Sequence, residues 1–184
     1  METNLCVAGF GGQGIMALGR ILAEAACRST DKKVTFFPSY GAEQRGGTAN
    51  CYVVISDEEI GAPLGDIMDD VIVMNSASLA KFLPRLRPGG RLFINSSIAR
   101  DPVERADVTV VRAPVTELAL RLGSAKVLNV IMLGVYVGFT QIIDPEIVWE
   151  SIRETLGGKA GLLPLNKEAF RKGLALGEAA RLEL

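Results

Sequence analysis

The 184-residue chain contains no histidine. That absence removes the commonest general base, the imidazole-containing zinc sets, and any Ser-His-Asp or Cys-His catalytic arrangement. An enzyme built on this chain alone would have to move protons with carboxylates, lysine, tyrosine or a cofactor. Cysteine is scarce as well. Cys6, Cys27 and Cys51 are odd in number, widely spaced and set in apolar segments, which predicts small buried residues in a reducing compartment. The close thiolate spacing of a ferredoxin motif is missing, so no iron–sulfur cluster is expected in this chain alone. Neither sign of charge dominates: 20 Lys and Arg stand against 21 Asp and Glu, without the basic block of a nucleic-acid binder. The longest apolar run, residues 127–139, makes a helix of about 20 Å against about 30 Å of hydrocarbon, and Asn129 interrupts it. It predicts a buried helix and no membrane partner. Glu2 opens the chain without the basic flank of a signal peptide, so a cytoplasmic location is expected.

What is present is apolar residue, 48% of the chain, enough for one domain across residues 1–184. Residues 5–8 form a short apolar run ending in Gly9. Residues 13–28 then carry Ile15, Leu18, Leu22 and Ala25 at helical spacing: strand, tight turn, helix. The small residues Ala17, Gly19, Ala23 and Ala26 let that helix lie close to a sheet. Residues 34–37 and 48–56 read as two strands, and the roughly ten residues between them fall short of the dozen that a parallel crossover needs. An antiparallel step and a mixed sheet are therefore expected. Residues 71–74, 91–95 and 108–112 are further strand candidates, with a helix over 76–87 that Pro88-Gly89-Gly90 ends. The last third reads as helices over 114–122, 125–139, 144–156 and 167–182, with Asp144-Pro145 and Asn166 as helix starts. The predicted fold is a three-layer α/β domain with a mixed, mainly parallel β-sheet and a helical C-terminal third.

The stretch GFGGQG places Gly9, Gly11 and Gly14 as G-x-G-x-x-G between a strand and a helix, the context of the dinucleotide fingerprint. Such glycines let a phosphate approach the N–H groups of a helix N-terminus, or simply let the helix pack tightly on the sheet. The fingerprint stops there: the second strand ends in Pro38, Ser39 and Tyr40 instead of an acidic residue for the ribose hydroxyls, and Ile15 stands where a Walker lysine would. Elsewhere, Asn129 inside an apolar helix requires a facing backbone group. Asp69-Asp70 reads as a pair of solvated turn residues pointing apart. Trp149 is expected to anchor helix packing. Ser96-Ser97, at the carboxyl end of a strand, is a candidate ligand contact.

The connection PSYGAEQRGGTAN between two strands is polar and glycine-rich. GFGGQGIMALGRILAEAA followed by FFPSYGAEQRGGTANCYVVIS resembles the gamma subunit of the 2-oxoacid:ferredoxin oxidoreductases, and so do VLNVIMLG and NKEAFRKG, so that the likeness covers nearly the whole chain. The resemblance implies an enzyme complex that converts a 2-oxoacid and coenzyme A to acyl-CoA and carbon dioxide, with ferredoxin as electron acceptor. It places thiamine diphosphate and magnesium in alpha and beta subunits, and iron–sulfur clusters in the beta chain or a small ferredoxin-like delta subunit. This chain is expected to be inactive alone. The pattern from Ser39 to Gly47 looks most like the 2-oxoglutarate branch, beside related pyruvate, branched-chain and indolepyruvate enzymes. Within it, Ser39, Tyr40, Glu43, Arg45, Gly46 and Gly47 are the expected interface with the partner chains near the shared active site. The bland alternative is that Glu43 and Arg45 pair with each other or cap a nearby helix, and that the glycines simply make a bend. Gly9, Gly11, Gly12, Gln13 and Gly14 are the expected contacts for coenzyme A phosphates. The rival reading is a stand-alone nucleotide-binding oxidoreductase that holds NAD or flavin on the Gly9–Gly14 loop.

Overall fold

Along the first strand Leu5 and Val7 point to one face and Cys6 and Ala8 to the other, and all four are buried. A strand of this kind has to be covered on both sides. In the computed structural model, which describes residues 1–29, 31–40, 48–62, 65–158 and 160–183, it is β1 (Glu2–Phe10) at the middle of a sheet. The chain continues through α1 (Ile15–Arg28), β2 (Lys33–Tyr40), β3 (Thr48–Ser56), β4 (Met68–Val73), α2 (Ser76–Phe82), β5 (Leu86–Asn95) and β6 (Thr109–Ala113). It ends in α3 (Val115–Arg121), α4 (Leu128–Thr140), α5 (Pro145–Leu156) and α6 (Leu163–Leu182). Among the described residues the sheet has six strands in the order β2-β3-β1-β4-β5-β6. β3 pairs antiparallel with both β1 and β2, and the remaining pairings are parallel. The short β2–β3 connection thus gives the antiparallel step its length required, and the expected mixed three-layer fold is the one observed.

One face of the sheet packs Leu5, Val7, Cys51, Val53, Ile72 and Phe93 against α1, α4 and the helices behind them. The opposite face packs Cys6, Ala8, Val71, Val73, Leu92 and Ile94 against Leu79 and Phe82 of α2. α1 does lie close to its strands: a Cβ on Gly19 would collide with the Cys51 sulfur. α4 is buried from Leu128 to Phe139 and is sandwiched between the sheet and α6. Gly134 and Gly138 of α4 face Gly173 and Gly177 of α6, and a Cβ on any of the four would run into backbone atoms of the other helix. These glycines set how near the two helix axes come. Asp144 caps α5 as expected, its carboxylate accepting from Glu146 N at 2.8 Å, with Pro145 in the first turn. Trp149 packs partly buried against the main core with Lys167 Nζ 5.7 Å from its ring centre. Among the described residues no helix is long and apolar enough to cross a membrane.

Four expectations need correction. The helix after β4 ends at Phe82, followed by a single 3₁₀ turn, and Pro88-Gly89-Gly90 lies inside β5. There it forms an irregularity: β4 advances from Met68 to Asp70 while β5 advances from Leu86 to Arg91, and Gly89 takes φ 72°. Glycine at positive φ relieves such a bulge without steric cost. Second, the last helix begins at Leu163, which leaves Asn166 within it and buried. Third, Asp70 is fully buried within β4 instead of solvated. Arg91 of β5 grips it with both Nε, at 2.6 Å, and Nη2, at 2.7 Å, and Tyr136 of α4 donates its hydroxyl at 2.8 Å. Asp69 does point the other way, accepting from Asn4 N at 2.7 Å and Arg87 Nε at 2.5 Å.

Fourth, Cys6 and Cys51 are buried but Cys27 is exposed near the end of α1. Burial pushes the Cys6 thiol up to about 12 and the Cys51 thiol in the same direction, which keeps both as unreactive thiols at neutral pH. A chromogenic disulfide reagent is therefore expected to label Cys27 alone in the native chain and all three cysteines after denaturation. Rapid labelling of all three without denaturant would show that the sheet opens far more readily than its burial implies.

Candidate functional site

The chain passes from β1 at Phe10 into α1 at Ile15 through four residues. Gly12 and Gly14 take φ values of 91° and 73°, a region that glycine enters without strain. Gly14 also lies beneath α4, where a Cβ would come 2.5 Å from Asn129 Nδ2. A Cβ on Gly9 would come 2.6 Å from both Gln13 Oε1 and Ile15 Cδ1. Close packing accounts for Gly9 and Gly14, whereas around Gly12 the space is open and only the backbone conformation calls for glycine.

Gln13 holds the turn down. Its Oε1 accepts from Phe10 N at 2.7 Å and from Asn75 Nδ2 at 3.3 Å, and its Nε2 donates to the Met74 carbonyl at 3.1 Å. β1 and β4 are neighbours whose onward connections run to opposite ends of the sheet, so the gap between their carboxyl ends is the switch point where open α/β sheets hold ligands. Here the amide of Gln13 fills it. The interposed β3 also puts the end of β2 two strand spacings, about 10 Å, from β1. Both features act against the NAD or flavin reading, which needs an open crevice and an acidic residue beside it.

The other side of the turn is open. Gly12, Gln13 and Gly14 border a cavity of about 300 Å³ together with Lys126, Asn129 and Asn166, and Ala125, Leu128, Leu156 and Leu162 form the rest of its wall. α1 begins at this cavity with no acidic residue in its first turn and no side-chain cap, and α4 and α6 continue there from 3₁₀ turns. Helix N-termini carry partial positive charge, so the field here favours an anion. Asn129 is buried and donates Nδ2 to the Gly14 carbonyl at 3.3 Å, which supplies the facing backbone group it required. Nothing in the sequence marked Lys126 or Asn166 for this place. Asn166 resembles a cap until α6 is seen to start earlier, and Lys126 sits in a 3₁₀ turn capped by Ser124.

Ser39 and Tyr40 end β2, paired with Asn50 and Ala49 of β3. The chain returns at Thr48, directly opposite Phe10, where the glycine turn begins. β1 and β2 therefore finish at the same end of the sheet. Glu43, Arg45, Gly46 and Gly47 lie outside the described residues. Ser97 is committed elsewhere, its Oγ accepting from Glu117 N at 3.1 Å in the first turn of α3. Ser96 N donates to the Ala113 carbonyl. Among the described residues no group of three His, Cys, Asp or Glu side chains is placed to hold a metal ion.

The family described as pyruvate ferredoxin/flavodoxin oxidoreductase matches residues 4–176. The chain is 37% identical over 174 residues to ketoisovalerate oxidoreductase subunit VorA of Methanothermobacter thermautotrophicus, covering 94% of itself and 36% of that protein. It is 31% identical over 182 residues to 2-oxoglutarate synthase subunit KorC of Methanothermobacter marburgensis, covering 96% of itself and 97% of that protein. Among solved structures, it superposes with a TM-score of 0.89 and 28% identity on 2-oxoglutarate:ferredoxin oxidoreductase from Magnetococcus marinus with 2-oxoglutarate, coenzyme A and succinyl-CoA bound. That likeness covers 97% of this chain and 31% of the other. The chain thus spans about a third of the length of VorA and of the Magnetococcus chain, and nearly all of KorC. A match that takes in the glycine turn, the reversed strand and the buried α4 leaves one conclusion: the chain belongs to the pyruvate ferredoxin/flavodoxin oxidoreductase family.

Proposed function

We propose that this chain is the gamma subunit of a 2-oxoacid:ferredoxin oxidoreductase that converts 2-oxoglutarate and coenzyme A to succinyl-CoA and carbon dioxide, passing electrons to ferredoxin. The end-to-end correspondence with a 2-oxoglutarate synthase subunit carries the reading. In this scheme alpha and beta subunits hold thiamine diphosphate and magnesium, and the beta chain or a ferredoxin-like delta subunit holds the iron–sulfur clusters. The thiols of this chain do not fit a cluster: Cys6 and Cys51 face opposite sides of the sheet and Cys27 lies on the surface of α1. Coenzyme A, as acyl acceptor, brings phosphates that suit the positive end of α1 behind Gly12 and Gly14. Ser39 and Tyr40, with Glu43, Arg45, Gly46 and Gly47, would face the partner chains from the same end of the sheet. Ketoisovalerate is the second reading, favoured by the identity with VorA.

Gentle purification of the native complex tests both. Copurifying chains that carry thiamine diphosphate, with kcat/KM highest for 2-oxoglutarate, are expected. Preference for the branched acid would move the substrate to the second reading, and full turnover by the isolated chain would end the subunit reading.

A further inference from the structure

We propose that the open edge of β2 is a pairing site for a second copy of this chain, joining two six-stranded sheets antiparallel across a twofold axis at Thr35. The inference stands apart from the subunit reading, because it concerns two identical chains and needs no other polypeptide.

β2 ends the sheet on one side, and the phase of the hydrogen bonds fixes which of its backbone groups face outward. The Ala8 carbonyl accepts from Met74 N, so Ala8 turns its polar backbone groups toward β4 and Val7 turns its own toward β3. Val7 lies opposite Cys51, so Cys51 serves β1 and its neighbour Tyr52 serves β2. Tyr52 lies opposite Phe37, which leaves Val34, Phe36 and Pro38 with their backbone groups on the open edge. Pro38 agrees with this phase, because a strand proline keeps its nitrogen away from the neighbouring strand. Lysine and proline both limit edge pairing, and here Lys33 and Pro38 flank residues 34–37, the stretch left to accept a strand. Phe37, in that stretch, is 43% exposed.

A second β2 fits this edge residue by residue. Antiparallel pairing about Thr35 sets Val34 opposite the copy's Phe36, and their outward backbone groups exchange hydrogen bonds. It also sets Lys33 opposite the copy's Phe37, where the lysine stem and ammonium cover the exposed ring. Within one chain Lys33 Nζ lies 3.3 Å from the exposed Glu59, a pair too weak to hold it there. Thr35 meets its twin on the axis. Its Oγ1 is buried with no partner among the described residues, and a turn about χ1 brings it to the cross-strand threonine, a pair that hydrogen-bonds. Strand addition needs pockets for alternate side chains as well as a free edge. A groove of about 900 Å³ beside Val34 and Phe36, under α1, is where the copy's Val34 and Phe36 would enter. Its charges are Arg20 paired with Glu24 and Arg28 paired with Glu154. Both signs are present, so an identical chain meets no net repulsion and a partner of one sign gains nothing.

Sedimentation velocity and hydrogen exchange on the full 184-residue chain test the pairing. A dimer of twice 19.7 kDa is expected at about 100 μM and a monomer at about 1 μM, the range of a small interface. The amides of Val34 and Phe36 should gain protection with concentration, while those of Thr35 and Phe37, already turned to β3, stay unchanged. Val34→Pro removes an outward N–H that no strand of the monomer uses, and is expected to weaken the dimer about 10-fold or more. Phe37→Lys, at an exposed position, sets lysine against lysine and should weaken it too, whereas Phe37→Glu makes an opposite-charge pair and should keep it. Circular dichroism checks that each variant is folded. A monomer at every concentration overturns the inference, and so does a dimer unchanged in Val34→Pro or in Phe37→Lys. Protection of Val34 and Phe36 that appears only in the native complex gives the edge to a partner subunit and overturns the pairing of copies.

Discussion

Asp70→Ala is expected to lower the unfolding free energy by about 3–5 kcal/mol, the usual effect of removing one partner from a buried ion pair. Arg91 would keep its charge and lose the carboxylate that its two nitrogens now grip at 2.6 and 2.7 Å. Tyr136, itself fully buried, would lose the acceptor for its hydroxyl. Burial, with the Asp70 charge adding to it, raises the Tyr136 phenol well above its ordinary value, so the ring remains a donor. For Asp70 burial outweighs the downward pull of Arg91 and Tyr136, so its pKa is raised above the ordinary carboxylate value. A carboxylate with three donors in such surroundings is held by its partners alone. Tyr136→Phe removes one of those donors and is expected to cost about 1.5–3 kcal/mol. Urea unfolding of both variants measures the two values. A loss below about 1 kcal/mol in Asp70→Ala would mean that the site relaxes or admits water, in the range of an exposed pair.

The second large effect is expected at Gly173, where alanine should destabilise by about 3 kcal/mol or more, the upper end for overpacking. Its sign opposes helix propensity. Gly→Ala inside a helix ordinarily gains about 1 kcal/mol, and Ala175→Gly, on the exposed face of α6, should lose about that amount. At Gly173 the added methyl meets the Ile131 carbonyl of α4, and at Gly177 it meets the Val135 carbonyl. Backbone oxygens cannot swing aside as a side chain can, so α6 must move off α4 or the chain must fail to fold. Thermal melts of Gly173→Ala, Gly177→Ala and Ala175→Gly separate the cases, and a stabilised Gly173→Ala would show that the helices are farther apart than described.

Much of this molecule is written locally. Asp144-Pro145 starts a helix because both the cap and the fixed φ act within one turn. The reversed β3 follows from chain length alone, since no crossover fits between residues 40 and 48. What escaped the sequence depends on distant partners. Asp70 reads as a turn residue beside Asp69, and only Arg91, 21 positions on, and Tyr136, 66 positions on, give it a buried place. Pro88-Gly89-Gly90 reads as a helix stop, yet β4 recruits it as an irregular strand segment. For the site, the glycines were legible because positive φ leaves a mark in the sequence. Lys126 and Asn166 were not, because nothing in their own neighbourhoods shows that three helices meet at one point.

The amide of Gln13 has one last implication. Fixing the backbone of a residue takes about 1–2 kcal/mol of entropy, and the turn leading into α1 surrenders that freedom when the protein folds, through the hydrogen bonds to Phe10, Met74 and Asn75. A phosphate bound at the start of α1, as proposed for coenzyme A, would find this turn already set, with little disorder to remove.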